Sequence, residues 1–143
     1  MQTGAVAGAV VAQYNLGDDD PGAAAGSLAG AATVDVIAGA DLYLMGGAPL
    51  YSADVPAGGS TLSIEFAAGD WYSSAAIAAM STLDFDNFSL QFDAKPTGDG
   101  PFPTAVCLGR YGSGAAFVYH AGGTWRFHIG GVGDQVSGPV TLN

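Results

Sequence analysis

Between Ser60 and Ile129 the chain alternates apolar and polar residues in short runs cut by glycine and proline, with few ionisable side chains among them. Leu62, Ile64 and Phe66 share one face of the first run, and Phe88, Leu90 and Phe92 share one face of a second. Trp125, Phe127 and Ile129 repeat the spacing, with Arg126 and His128 outward. Successive residues of a strand point to opposite faces, so a period of two carried from run to run demands sheets that each bury one face. The pattern predicts an all-β antiparallel β-sandwich with Phe66, Phe88, Leu90, Phe92, Trp125 and Phe127 in its core.

Turn residues divide the rest. Residues 4–16 predict an edge strand ending at Tyr14 and Leu16, so that 1–16 form an N-terminal arm, and Gly17–Gly22 (GDDDPG) is a dense turn. Thr33–Ile37 is a β-branched island in an Ala/Gly stretch and predicts a strand; Leu42 and Leu44 around Tyr43 predict another. Pro49–Gly59 is a loop with Leu50 and Tyr51 as anchors. A meander follows over Ser60–Phe66, Trp71–Tyr72, Asn87–Ala94, Val106–Arg110, Ala115–His120 and Thr124–Ile129. Ser73–Ser81 carries four alanines but no strong cap, which predicts a loop or a single helical turn. At 143 residues the chain is expected to form one domain, residues 1–143, able to bury a core without metal or disulfide.

Thirteen acidic residues against Lys95, Arg110 and Arg126 give a formal charge of -10, which repels phosphate backbones and anionic lipid and speaks against nucleic-acid or membrane partners. Charged residues make up only 11%, against about a quarter in an ordinary domain, so Ala, Gly, Ser and Thr must cover much of the surface. Such a skin suits a protein covered by neighbours. Cys107, the single cysteine, stands between Val106 and Leu108 and reads as core packing. The opening residues carry no base ahead of Gly4–Ala12, unlike a secretory leader, and that run is shorter than the roughly 20 apolar residues of a membrane span. The expected product is soluble as made.

The segment Ile64-Glu65-Phe66-Ala67-Ala68-Gly69-Asp70-Trp71-Tyr72, a strand ending in Phe followed by a Gly-Asp turn and an aromatic pair, leads into Leu83–Pro96 with its Lys95-Pro96 end. Leu108-Gly109-Arg110 and the hairpin Ala121-Gly122-Gly123-Thr124-Trp125 follow. Across about residues 50–130 this order resembles the laminin G-like, or concanavalin A-like, jelly-roll family. The resemblance implies a jelly-roll sandwich; the family spans lectins, glycan-binding modules, adhesins and viral structural proteins, so it carries little about function. Val136–Asn143 departs from it, stopping short of the further strands the family adds after the hairpin. That departure implies either a compact variant or a sheet edge covered by a neighbouring subunit.

Candidate sites are few. Asp18, Asp19 and Asp20, or Asp70 with Asp84 and Asp86, supply the hard oxygens that calcium needs, and the family resemblance implies a rim calcium in some members. Adjacent aspartates diverge in direction, however, and acids before a strand commonly hold a turn, so turn-building is the favoured reading. Glu65 is the only glutamate, and no second carboxylate on its strand completes a glycosidase pair. His120 and His128 are expected on outward positions, facing each other across a hairpin. No third zinc ligand or nucleophile is spaced to join them. Trp71, Tyr72, Tyr111, Tyr119 and Trp125 are candidates for stacking on sugar rings; alternation and turn position assign Trp125 and Trp71 to the core and leave Tyr72 and Tyr111 as the exposed pair. Gly109, Gly112 and Gly114 lack a following helix and read as turn residues.

Without a catalytic set or cofactor site, the sequence points to a non-enzymatic structural protein of a particle. Its concrete form is a bacteriophage capsid decoration, or cement, protein of the virion surface, made in the host cytoplasm, that binds shell subunits and itself as a homo-oligomer. The alternative is an extracellular carbohydrate-binding module or adhesin, with calcium at a rim.

Overall fold

The computed structural model describes residues 10–37, 39–74, 90–96, 104–108, 116–129 and 133–139. These residues are all β, in antiparallel pairs, with no helix among them. By contacts the chain forms two compact units, Met1–Leu90 and Gln91–Asn143.

The first unit contains β1 (Ala32–Thr33), β2 (Leu42–Gly46), β3 (Leu50–Ser52), β4 (Ser63–Glu65) and β5 (Trp71–Ser73). They form a three-stranded sheet in the order β1-β2-β5 and a separate β3-β4 pair. The chain thus leaves the first sheet after β2, makes the second, and returns to lie beside β2.

Tyr51 is the hub. Its backbone N–H donates to Ser27 O at 2.9 Å and its carbonyl accepts from Gly26 N at 2.7 Å, tying β3 to the preceding loop. Its ring is buried with Ala29 and Ile64, against which Leu16, Ala23 and Tyr72 pack. The phenol donates to Asp20 Oδ2 at 3.1 Å and accepts from Gly30 N at 3.0 Å. Gly17, at φ 128°, makes the approach possible, because a Cβ there would come within 2.9 Å of Leu62 Cβ and 3.2 Å of the Tyr51 ring. Tyr72 closes the group by donating its hydroxyl to Gly30 O at 2.6 Å.

The stretch around Leu50 and Tyr51 is therefore a strand, not only an anchored loop. β4 is shorter than the alternation implies, and the face it shares with its flanks is only partly sealed: Ile64 is buried and Leu62 half-buried, but Phe66 is exposed. The cause is the turn after β4, where Ala67 N–H donates to the Asp70 carboxylate at 2.7 Å and the chain reverses; Phe66 meets Tyr72 edge-on at 6.0 Å. The arm likewise makes no edge strand over 10–13, only a bridge between Tyr14 and Asp35. The Asp35 carboxylate takes the Gln13, Ile37 and Ala40 N–H groups at 3.0–3.1 Å, which ends the expected Thr33–Ile37 strand at Thr33. Short acidic side chains compete with a ladder for backbone donors in this way.

The second unit is a four-stranded meander of β6 (Thr104–Leu108), β7 (Ala116–Ala121), β8 (Thr124–Ile129) and β9 (Gly133–Pro139), in sequential order. Gly122 and Gly123, at φ 59° and 71°, form the two-residue turn that pairs Ala121 with Thr124 and fixes the register. Val118, Tyr119 and His120 are consecutive and all buried, so β7 is covered on both faces. β9 pairs with β8 where no further strand was expected. Conversely, 90–94 belong to no ladder, although Leu90 and Phe92 are half-buried while Gln91 and Asp93 are exposed. Phe92 packs edge-on against Trp125 at 5.6 Å. The Phe88 assignment, and most of Ser73–Ser81, lie outside the described residues.

Two substitutions test the hub. Tyr51→Phe keeps the ring but removes both phenol hydrogen bonds from the buried Asp20 and from Gly30, and should lower unfolding stability by about 1–3 kcal/mol in urea denaturation; an unchanged midpoint contradicts the hub. Thr33 is fully buried and its Oγ1 has no hydrogen-bond partner among the described residues. Thr33→Val, of similar shape, should be neutral or raise stability by roughly 1 kcal/mol, whereas a loss shows that the hydroxyl is satisfied.

Candidate functional site

The described aspartates among the metal candidates accept hydrogen bonds from the protein itself, Asp18, Asp20 and Asp70 from backbone amides. Asp18 Oδ1 accepts the Leu62 N–H at 2.8 Å and the Thr61 hydroxyl at 2.7 Å, and both its oxygens lie 3.0 Å from Thr61 N. These bonds, the Thr61 hydroxyl foremost, hold the Asp18 carboxyl below its usual range. Asp20 is buried, with Val34 N–H on Oδ1 at 2.8 Å and the Tyr51 hydroxyl on Oδ2. Asp19 accepts from the Asn15 side-chain amide at 2.6 Å. Asp70 accepts the N–H groups of Ala48 and Ala67. Each carboxylate closes a turn by satisfying donors that no ladder reaches. Among the described residues no three His, Cys, Asp or Glu side chains are grouped to hold a metal ion. Asp84 and Asp86 lie outside the described residues.

The histidines do not face each other. Register sets His120 opposite Trp125 and His128 opposite Phe117, and cross-strand partners share a face, so the two imidazoles project from opposite sides of the sheet. His120 is buried, its ring 5.3 Å from that of Trp125; His128 stacks on Phe117 at 4.6 Å. Cys107, assigned to the core, is exposed, and desolvation by neighbouring atoms nonetheless raises its thiol pKa. It sits on β6, opposite Phe117 of β7, at the end of the described strand order β6-β7-β8-β9.

The aromatic assignments invert. Tyr72, expected to be exposed, is half-buried and bonded to Gly30 O, and burial pushes its phenol up to about 12. Trp71, assigned to the core, is 52% exposed. Tyr111 lies outside the described residues. The physical reason is strand parity: Leu44 pairs with Tyr72 on the face toward the core, which turns Trp71 to the other face. β2 alternates accordingly, with Leu42 and Leu44 half-buried and Tyr43 and Met45 exposed at 53% and 57%. At the end of β2 a bulge sets Met45 and Gly46 against Trp71 alone. The indole lies on Gly46, where a Cβ would come 2.9 Å from Nε1 and 3.2 Å from Cδ1.

Tyr43, Met45 and Trp71 therefore make an apolar outer face on the β1-β2-β5 sheet, and this face is the candidate functional site. It can offer contact area and stacking. The residues had a signal in the sequence: Leu42-Tyr43-Leu44-Met45 is apolar on both parities, as in a strand with an apolar cover on each face, and the structure covers only the Leu42 and Leu44 side. Comparison of the chain with protein-family models, curated proteins and solved structures returns no match.

The fasteners predict two pH limits. A carboxyl held below its unfolded value of 3.8 stabilises the fold above that pH and ceases to as the pH falls through its lowered value. The stability deficit of Asp18→Asn should thus be full at neutral pH and shrink below pH 3.8. Tyr14, bonded to Ala40 O and raised to about 12 by burial, Asp35 and Asp41, behaves oppositely, as does Tyr72. Their stabilisation is present below pH 10.0 and lost as the pH climbs toward about 12. Tyrosinate absorbance should show at least two phenols ionising only near that upper value, together with loss of structure; ionisation of every tyrosine near pH 10.0 contradicts this.

Proposed function

We propose that the chain is a non-enzymatic structural protein of a viral particle, a capsid decoration protein that lies between shell subunits and holds them by contact. The observation that carries the reading is the outer sheet face of Tyr43, Met45 and Trp71, large side chains spent on the exterior of a chain with few charges. Single exposed apolar residues are ordinary; three on one face of a small sheet are the mark of an interaction surface. The jelly-roll arrangement of concanavalin A-like type belongs to the same proposal. It is supported by the crossing of the chain from β2 to the β3-β4 pair and back to β5, as strands do when they alternate between two layers.

Charge supports self-association through the second unit. Ten carboxylates and no Lys, Arg or His fall within 1–90, while three carboxylates and three Lys or Arg fall within 91–143, so the formal -10 belongs to the first unit and the second sums to zero. Copies joined through residues 91–143 meet no net repulsion at the joint. The arm supplies a further contact: Gln13 and Tyr14 are tied to Asp35, while Val10 before them is 59% exposed. A sugar-binding role is the competing reading, favoured by the exposed Trp71 ring.

Deletion of residues 1–12 should leave the Tyr14–Asp35 bridge and the fold intact by circular dichroism, yet reduce the oligomer seen by sedimentation. A glycan array with and without chelator should be silent. Chelator-sensitive glycan binding by a monomer overturns the proposal, and so does an oligomer untouched by the deletion.

A further inference from the structure

We infer that the Tyr43–Met45–Trp71 face docks a cationic protein surface with an apolar centre, and that neither a second copy of this chain nor a sugar is its principal occupant. The inference rests on the contact role proposed above and adds the chemistry of the partner.

Two observations single out the face. Its central ring is pre-positioned, because the indole of Trp71 is seated on the bare Cα of Gly46 at a bulge and still leaves half its surface to solvent. A fixed aromatic anchor loses little conformational freedom on binding, which is why tryptophan so often carries interface energy. Its ends are acidic. Asp41 immediately precedes β2 and Asp70 immediately precedes β5, and since the two strands run antiparallel these carboxylates bracket the face from opposite ends. Both are held in place, Asp41 Oδ1 by the Asp35 N–H at 3.0 Å and Asp70 by the Ala48 and Ala67 N–H groups.

The occupant follows from charge. Residues 1–90 hold ten carboxylates and no basic side chain, and two of those carboxylates, Asp41 and Asp70, stand at the ends of this face, so the charge the unit sets beside it is negative. A second copy docking the same face would bring the same carboxylates against it, a like-charge juxtaposition that costs affinity. A neutral sugar gains nothing from that field. A surface whose apolar centre is rimmed by Lys or Arg buries its centre against Tyr43, Met45 and Trp71 while its rim meets Asp41 and Asp70, so area and charge agree on one partner.

The test uses the full chain and three helical peptides of equal length: a leucine stripe flanked by lysines, the same stripe flanked by glutamates, and the lysine peptide with serine replacing leucine. The chain has two tryptophans, so its indole N–H signals in NMR spectra are assigned by Trp71→Phe. The lysine-leucine peptide should shift the Trp71 signal and bind at least about tenfold more tightly than either control, as expected for an anchored aromatic contact. Binding should weaken severalfold from about 0.01 M to about 0.15 M salt, where the screening length falls from about 30 to about 8 Å. Trp71→Ala, and independently Met45→Ser, both exposed positions, should reduce the affinity without changing the thermal midpoint.

Equal binding of the glutamate peptide, or of the serine peptide, overturns the inference, as does affinity indifferent to both substitutions. A Trp71 shift produced by a neutral oligosaccharide overturns it in favour of a sugar. Sedimentation that loses an oligomer on Trp71→Ala assigns the face to a second copy. Peptide silence with the oligomer and the silent glycan array intact removes the cationic partner but leaves the structural role standing, whereas glycan binding removes both.

Discussion

Everything in the first unit turns on the buried phenol of Tyr51, held between the Asp20 carboxylate and the Gly30 N–H. Its described strands are two to five residues long, too short for ladders alone to satisfy the backbone of residues 10–74. The deficit is met by side chains. Asp20 joins the first turn to Val34 and Tyr51; Asp18 caps Thr61 and Leu62 across more than forty residues of sequence; Asp35 gathers three N–H groups around itself. A carboxylate accepts several strong bonds from neutral donors, so it suits a loop that must be closed without a partner strand. The price is that the charge stays, uncompensated by any base in that unit.

This use of acid shapes what the exterior can do. Asp18, Asp20 and Asp70 read as candidate ligands or a solvated turn when only their residue type is considered, yet their oxygens accept from backbone amides and, for Asp20, from the Tyr51 hydroxyl as well. What is left for partners is the unpaired face of a small sheet, apolar and aromatic, set in the negative field that the fasteners create. The proposed binding, by contact and by long-range charge, rests on one construction, because the residues that hold the loops also polarise their surroundings.

Parity and turn chemistry made the meander legible in the sequence. Gly122-Gly123 between two alternating runs specifies the β7–β8 hairpin, and β2 and β5 lie close to where their apolar residues put them. Other features are not legible there, among them β9, which pairs with β8 beyond the last predicted strand. Tyr51 lies in a loop-like stretch between Pro49 and Gly59, where only tertiary hydrogen bonds reveal that it is central. Trp71 and Tyr72 differ by one residue, and one residue of register exchanges the buried aromatic for the exposed one. His120 and His128 share a face only if the hairpin register is left open; the two-residue turn at Gly122-Gly123 pairs His120 with Trp125 and sends His128 to the other side. The buried aspartates were illegible for a further reason: a charged residue in a turn is ordinarily solvated, and nothing in Asp18-Asp19-Asp20-Pro21-Gly22 says which of the three goes inside.

The central claim is that carboxylate and phenol oxygens, more than strand ladders, hold the first unit together. Amide hydrogen exchange tests it most directly, read at Gly30, Val34, Leu62 and Ala40, whose N–H groups donate to Tyr51, Asp20, Asp18 and Asp35 respectively. These loop amides should be protected to the same degree as the ladder amides of β2 and β3 and should open with them. Free exchange at all four, with protection confined to the ladders, contradicts the account.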